Sequence, residues 1–113
     1  MLCPPNAPRK SFAVEAIDAP IPILGHPGKV YVLAEDRDAV VSGERAAEPL
    51  VLHANVGDCP VIELTNRTSS PQGAVSMHAD MLAYDPRDSA GVQVGRNAAG
   101  QAVAPGQSRT LTF

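Results

Sequence analysis

The chain lacks sequence features that membrane proteins, nucleic-acid-binding proteins and proteins with a signal peptide have. Its 113 residues include no tryptophan, two phenylalanines and two tyrosines, and no apolar run approaches the roughly 18 residues of a membrane-spanning helix. Nine basic residues against twelve acidic ones give a net charge of −3, so no basic surface for nucleic acid is predicted. The opening MLCPPNAPRK lacks the apolar stretch of a signal peptide. The sequence therefore predicts no nucleic-acid partner and no membrane partner.

Several catalytic signatures are also missing. The chain contains no G-x-S-x-G elbow, no P-loop and no Rossmann glycine pattern, which removes support for hydrolase, nucleotide-dependent and dehydrogenase functions. Its two cysteines, Cys3 and Cys59, are too few for a disulfide scaffold or a C-x-x-C metal site. In an oxidising compartment they would pair, and in a reducing cytosol both would be buried thiols. The sequence leaves these two alternatives open.

The chain is rich in turn-forming residues and in short segments where apolar and polar residues alternate. Eleven prolines and nine glycines divide it into short pieces, which favours an all-β fold of one domain over a helical bundle. A turn is predicted at residues 25–28, and one or two helical turns over residues 35–43 end at a glycine. Period-two patterning predicts strands over Ser11–Ile23, Lys29–Ala34, Leu50–Ala54, Pro60–Thr65, Ala74–Leu82 and Arg109–Phe113. Short strands at this spacing predict a β-sandwich.

The segment VSMHADMLAYD, residues 75–85, carries the strongest candidate for chemistry. His78 and Asp80 are two positions apart on the predicted strand, so both side chains lie on one face, about 7 Å apart, and could bind one ion. A histidine that only makes a hydrogen bond within the sheet is the alternative. His53 and His26 lie on other elements, and the three histidines do not have the spacing of a zinc site.

Four ordered motifs carry a family resemblance. EPLVLHANVGDCPVIELTNRT, VSMHADMLAYD, GVQVGRN and VAPGQSRTLTF follow one another along the chain. Together they resemble a cupredoxin-like domain of multicopper oxidases, of the large bacterial copper or manganese oxidase type. The opening CPPNAPRKSFAVEAIDAPI and GKVYVLAEDRDAV are also similar to such domains. The resemblance therefore extends over nearly the whole chain.

The resemblance implies a cupredoxin-like Greek-key β-sandwich that lacks its last one or two strands. Residues 1–10 would form an extended N-terminal segment, and residues 11–113 a single incomplete cupredoxin-like domain. It also implies copper as the cofactor, with His78 matching the first histidine of an H-x-H pair and Asp80 in place of the second. The remaining ligands would come from a second cupredoxin domain or a partner chain. The family resemblance suggests a periplasmic or secreted protein.

Two functions follow as expectations. In the first, the chain is a domain or fragment of a multicopper oxidase and contributes part of a copper site to oxygen-reducing oxidation. The chain is not expected to be active alone, because the resemblance places the other ligands outside it. In the second, it is a degenerate, metal-free cupredoxin module with a structural or interaction role, and Asp80 marks the lost ligand. His78 favours the first function, and Asp80 favours the second.

Overall fold

The computed structural model describes residues 3–21, 26–69, 73–92 and 101–113, and its framework is one mixed β-sheet. The sheet order is β2-β1-β3-β4, with β1 antiparallel to β2 and parallel to β3, and β3 antiparallel to β4. The strands are β1 (Arg9–Ile21), β2 (His26–Leu33), β3 (Cys59–Asn66) and β4 (Ser108–Thr112). The prediction of a mostly-β fold is therefore confirmed. No helix in these ranges is long and apolar enough to cross a membrane.

One face of the sheet carries the larger apolar core. Val14 of β1 packs there with Ile62 and Leu64 of β3, and Val103, Leu111 and Phe113 complete the buried cluster. Half-buried side chains from two irregular segments cover this cluster, namely Leu50, Leu52, Val75, Met77, Ala79 and Tyr84. Because a sheet face must be buried against another layer, these segments act as the second layer of the molecule.

The opposite face is covered by a short helix. A 3-10 turn, Ala34–Asp36, leads into α1 (Arg37–Ser42), which ends at Gly43 with a φ of 84°. This left-handed position favours glycine, as the sequence predicted for the end of the helical turns. Val40 of the helix packs with Ile17, Ala19 and Val32, so β1 is buried on both faces.

An ion-pair cluster fastens the helix to the sheet. Glu15 is 6% exposed and lies on the helix side of β1. Its carboxylate accepts a hydrogen bond from Arg67 Nε at 2.7 Å and lies 3.5 Å from an Arg37 guanidinium nitrogen. A buried carboxylate is stable only when it is paired, so this strand position depends on both arginines.

Two predicted strands are absent. Residues 50–54 form no ladder within the described structure, and residues 74–82 contribute only the bridge from Val75 to Val103. The period-two pattern is nevertheless real, since Leu50, Leu52, Val75, Met77 and Ala79 all face the core cluster. The predicted turn at residues 25–28 is wrong for 26–28, which lie in β2, and residue 25 is outside the described residues.

A disulfide joins the start of the chain to β3. Cys3 and Cys59 are bonded, with their Cα atoms 5.9 Å apart, which settles the alternative left open by the sequence. The Cys59 amide donates to the Pro8 carbonyl oxygen at 2.7 Å, and β1 begins at Arg9, which lies opposite Cys59 in the sheet. The Ala7 amide donates to the Pro4 carbonyl oxygen, forming a turn before β1.

The buried side chain of Asn66, at the end of β3, forms a network of hydrogen bonds. Its side chain is fully buried, and its amide nitrogen donates to the Gly73 and Val103 carbonyl oxygens at 2.7 and 2.8 Å. Its amide oxygen accepts from the backbone amide and hydroxyl of Thr68. Every hydrogen-bonding group of the side chain is thus used, and the segments before Val75 and around Val103 are held to β3.

Candidate metal site at His78 and Asp80

The segment from Val75 to Ala79 positions His78. Val75 exchanges two backbone hydrogen bonds with Val103, at 3.0 and 2.7 Å. Met77 and Ala79 pack on the core cluster, so the alternation turns the intervening His78 away from the core. The His78 side chain is 37% exposed and that of Asp80 is 90% exposed. The predicted common face of the two residues is therefore retained although the segment is not a strand.

Tyr31 holds this segment from the side of the sheet. Its hydroxyl donates a hydrogen bond to the Ser76 carbonyl oxygen. Burial raises the pKa of Tyr31, so the phenol stays protonated and remains a donor. The backbone two residues before His78 is thereby tied to β2.

The imidazole of His78 has one nitrogen directed at the protein backbone. Nδ1 lies 2.5 Å from the Ala90 carbonyl oxygen, and in the tautomer with its proton on Nδ1 the ring donates to that oxygen. Tyr84 meets the imidazole edge-on, with ring centroids 5.6 Å apart and an interplanar angle of 78°. The backbone acceptor on Nδ1 makes Nε2 the outward nitrogen of the ring, which can take either a proton or a metal ion.

Gly91 makes this approach possible. Its φ is 68°, and a Cβ at this position would lie 1.8 Å from the Met77 carbonyl oxygen and 3.0 Å from the His78 amide nitrogen. Only a residue without a side chain allows the chain at 90–91 to pass so close to residues 77–78. The sequence shows Gly91 as a loop glycine, and nothing in it indicates that contact.

The outward nitrogen of His78 faces a carboxylate. Nε2 lies 3.2 Å from Asp80 Oδ1. Two ligand atoms of one ion can stand at this separation, because metal–nitrogen and metal–oxygen bonds are roughly 2.0–2.2 Å long. Imidazole suits copper, whereas a carboxylate is a harder ligand. His78 therefore fits copper well and Asp80 fits it less well.

The pair by itself is only part of a metal site. Within the described ranges no group of three or more histidine, cysteine, aspartate or glutamate side chains is placed to bind a metal. Both cysteines are in the disulfide, and His53 is exposed. His26 lies in β2, and its side chain is outside the described part of the chain. A complete site would need ligands from another source.

Two open cavities flank the imidazole. One, of about 700 Å³, lies between β2 and residues 47–52, and the other, of about 770 Å³, lies beside Phe12 and Phe113. Leu52, Met77 and His78 line both. Beyond His78 the chain turns at Met81, which has a φ of 62° and is fully exposed. The second layer therefore covers the sheet incompletely around His78, and a mostly apolar cavity lies on each side of the imidazole.

Comparison with known proteins does not assign the chain to a family. No protein-family model matches the chain, and no curated protein is similar to it at a significant level. The likeness to cupredoxin-like domains of multicopper oxidases therefore rests on the sequence motifs alone.

Proposed function

We propose that the chain is a cupredoxin-like module that supplies an incomplete copper site, made of His78 and Asp80. A second cupredoxin domain or a partner chain completes this site. In the full assembly it serves a multicopper oxidase, in which copper supplies the electron transfer for reduction of oxygen. The fold proposed with it is one sheet of a Greek-key sandwich, whose second layer is only partly built from residues 50–52 and 75–79.

The observation that carries the proposal is the orientation of the His78 ring. Its Nδ1 is committed to the Ala90 carbonyl oxygen, and its Nε2 is directed outward beside Asp80. A backbone acceptor on one ring nitrogen is the usual support of a metal-bound histidine, because it fixes both the tautomer and the ring plane.

The chain's own residues have separate roles in this proposal. His78 donates the Nε2 lone pair, and Ala90 and Tyr84 hold the ring in place. Asp80 contributes negative charge at the open side of the site and, in the assembly, a second ligand atom. The disulfide supports an oxidising location, such as the periplasm or the cell exterior, where such bonds persist.

Copper titration of the purified protein tests the proposal. Electron paramagnetic resonance of the isolated chain at saturating copper is expected to show one weakly bound Cu(II) per chain, with nitrogen coupling from one imidazole and water at the remaining positions, and calorimetry gives the affinity. His78→Ala should abolish the signal, and Asp80→Asn should weaken binding about tenfold or more, as expected for loss of a ligand or its partner. His53→Ala is the matched control, because His53 is an exposed histidine outside the pair. A Cu(II) signal that survives in His78→Ala would refute the ligand role.

A metal-free structural module is the second candidate. It is favoured by the 3.2 Å contact between Nε2 and Asp80 Oδ1, because a proton on Nε2 would satisfy both groups without a metal. In that case copper would not bind stoichiometrically to the wild-type protein, and Asp80→Asn would leave metal content unchanged while it altered only the pairing of His78.

A further inference from the structure

Residues 3–8, called here the N-terminal arm, lie on the surface ahead of β1. Most of the arm is exposed, with Cys3 and Ala7 partly buried. Three of its six residues are prolines, which have no amide hydrogen to donate. The Ala7 amide is used within the arm, where it donates to the Pro4 carbonyl oxygen at 3.0 Å. The backbone of the arm therefore has few donors left that could hold it to the sheet.

The arm is fastened where β3 begins. The disulfide joins Cys3 to Cys59, the first residue of β3, and the Cys59 amide donates to the Pro8 carbonyl oxygen at 2.7 Å. The pairing of β1 with β3 starts at Arg9 opposite Cys59, so the sheet begins where the arm ends. Movement of the arm about a hinge between Pro8 and Arg9 would leave this pairing in place.

The arm also forms part of the wall of a cavity. Pro4 and Cys59 line the cavity of about 770 Å³, together with Phe12, Phe113 and His78. Cys59 is 4% exposed, because its sulfur lies beneath the residue to which it is bonded. Departure of the arm would therefore expose Cys59 and widen the cavity on that side.

We propose that the Cys3–Cys59 disulfide is a redox-controlled closure of this cavity. In the oxidised chain the arm is held as part of the cavity wall. A dithiol reduces the bond, the arm moves away as far as Pro8, and the cavity that contains His78 opens further to solvent while the sheet stays folded. The proposal does not depend on copper, since it rests on the arm, the disulfide and the cavity.

The exposure of the two sulfurs sets the order of the reaction. Cys3 is partly exposed and Cys59 is buried, so a thiolate of the dithiol attacks Cys3 Sγ. The bond between the two cysteines breaks, and its electron pair leaves on Cys59 Sγ, which takes up a proton. The second thiolate of the dithiol then attacks the mixed disulfide and releases Cys3, which is protonated. The protein gains two electrons and two protons, and the dithiol is oxidised to a disulfide.

Alkylation of Cys59 tests the proposal. The full chain is reduced with dithiothreitol and treated with iodoacetamide, and mass spectrometry of its peptides follows each cysteine separately. With the arm released, Cys59 is expected to react at a rate within about tenfold of that of Cys3, because exposure of the thiolate controls the rate. A Cys59 that is reduced but reacts about a hundredfold more slowly than Cys3 would show that the arm stays in place, and would overturn the proposal.

Hydrogen exchange separates release of the arm from unfolding. On reduction the Cys59 amide is expected to lose its protection, because it loses the Pro8 carbonyl oxygen. The amides of Val61 to Leu64, further along β3, should continue to exchange slowly. Loss of protection along the whole of β3 on reduction would contradict the proposal, because the bond would then hold the entire fold and not the arm.

Two variants complete the experiment. Cys3→Ser removes the bond and keeps the arm, so it should show a reactive Cys59 and an unprotected Cys59 amide without any reductant. Arg9→Ala is the matched control: it removes the hydrogen bonds from the Arg9 guanidinium to the Pro4 and Ala7 carbonyl oxygens, and it keeps the disulfide. Its Cys59 amide should stay protected in the oxidised chain. Equal loss of that protection in oxidised Arg9→Ala and in Cys3→Ser would refute a closing role of the disulfide.

Discussion

The α-carbon of Gly91 stands against the carbonyl group of Met77 so closely that a Cβ on residue 91 would lie 1.8 Å from that oxygen. The contact brings the Ala90 carbonyl to the His78 ring, so a glycine in the loop determines where the candidate ligand points. The geometry of the site thus depends on a residue that makes no contact with a metal.

Gly91→Ala is expected to destabilise the fold by about 2–5 kcal/mol, because a left-handed φ and an overpacked backbone contact add together. Denaturant unfolding measures the loss, and the His78 ring resonances in NMR report the lost Ala90 contact. Gly57→Ala is the control, since Gly57 also has a positive φ of 93° but open space around it. It should cost only about 1 kcal/mol. Equal losses in the two variants would show that Met77 does not constrain residue 91.

Asn66→Asp is expected to destabilise the protein by about 3 kcal/mol or more, because it buries a carboxylate and removes two donated hydrogen bonds. The carbonyl oxygens of Gly73 and Val103 would then face a negative charge instead of an amide. Thermal unfolding measures the change. Thr65→Val serves as control: its hydroxyl bonds to that of Ser108 at the surface, so the loss there should stay below about 1 kcal/mol. A mild effect of Asn66→Asp would mean that the buried network can rearrange.

Stability should decline as the pH falls from about 4 to 2, and Asp18 should account for part of the decline. Hydrogen bonds from the Ser69 hydroxyl and amide, with Lys29 nearby, lower the pKa of Asp18 from 3.8 to about 2. The folded state therefore favours the carboxylate, and the stability it provides is present above pH 4 and lost on protonation. Solvent screening limits the contribution to about 1 kcal/mol, since the side chain is 37% exposed.

Asp18→Asn should flatten the pH dependence of unfolding within that window, measured by denaturant titration at each pH. Asp38→Asn is the control, because the Asp38 side chain is 91% exposed and pairs with the adjacent Arg37. Identical slopes for wild type and Asp18→Asn would contradict the assignment.

Reduction of the disulfide should cost about 4 kcal/mol, because the bond links residues 56 positions apart and restricts the unfolded chain. Unfolding of the wild type with and without a dithiol reductant measures the difference. A Cys3→Ala, Cys59→Ala double variant should match the reduced wild type and be insensitive to the reductant. Sensitivity in the double variant would point to an effect of the reductant other than reduction of this bond.

Patterns within short segments predicted much of the sheet. Alternation and turn residues predicted β1, β2, β3 and β4 to within a few residues, and Gly43 correctly predicted the end of α1. The same alternation predicted strands at Leu50–Ala54 and Ala74–Leu82, where the structure has none. Burial follows the sequence locally, but a strand also needs a hydrogen-bonding neighbour, which no local pattern specifies.

The candidate site was predictable only in part. The shared face of His78 and Asp80 follows from period-two spacing, and the two side chains do meet. The hydrogen-bond partner of His78 Nδ1 is the main-chain oxygen of Ala90. Every residue type carries this oxygen, so the sequence could not indicate which residue would be the partner. The pairing of Cys3 with Cys59 depends on how β1 and β3 align, and that alignment is a property of the whole sheet.

The parallel pairing of β1 with β3 also governs how the chain reaches its fold. The β1–β2 hairpin joins neighbouring segments, whereas Arg9 must find Cys59 across a long intervening loop, a step that is entropically slow. The disulfide connects the same two ends of the chain. An unfolded chain that is already oxidised starts with that loop closed, so its folding rate should exceed that of the reduced chain. The disulfide would thus increase the folding rate of the chain as well as the stability of the folded protein.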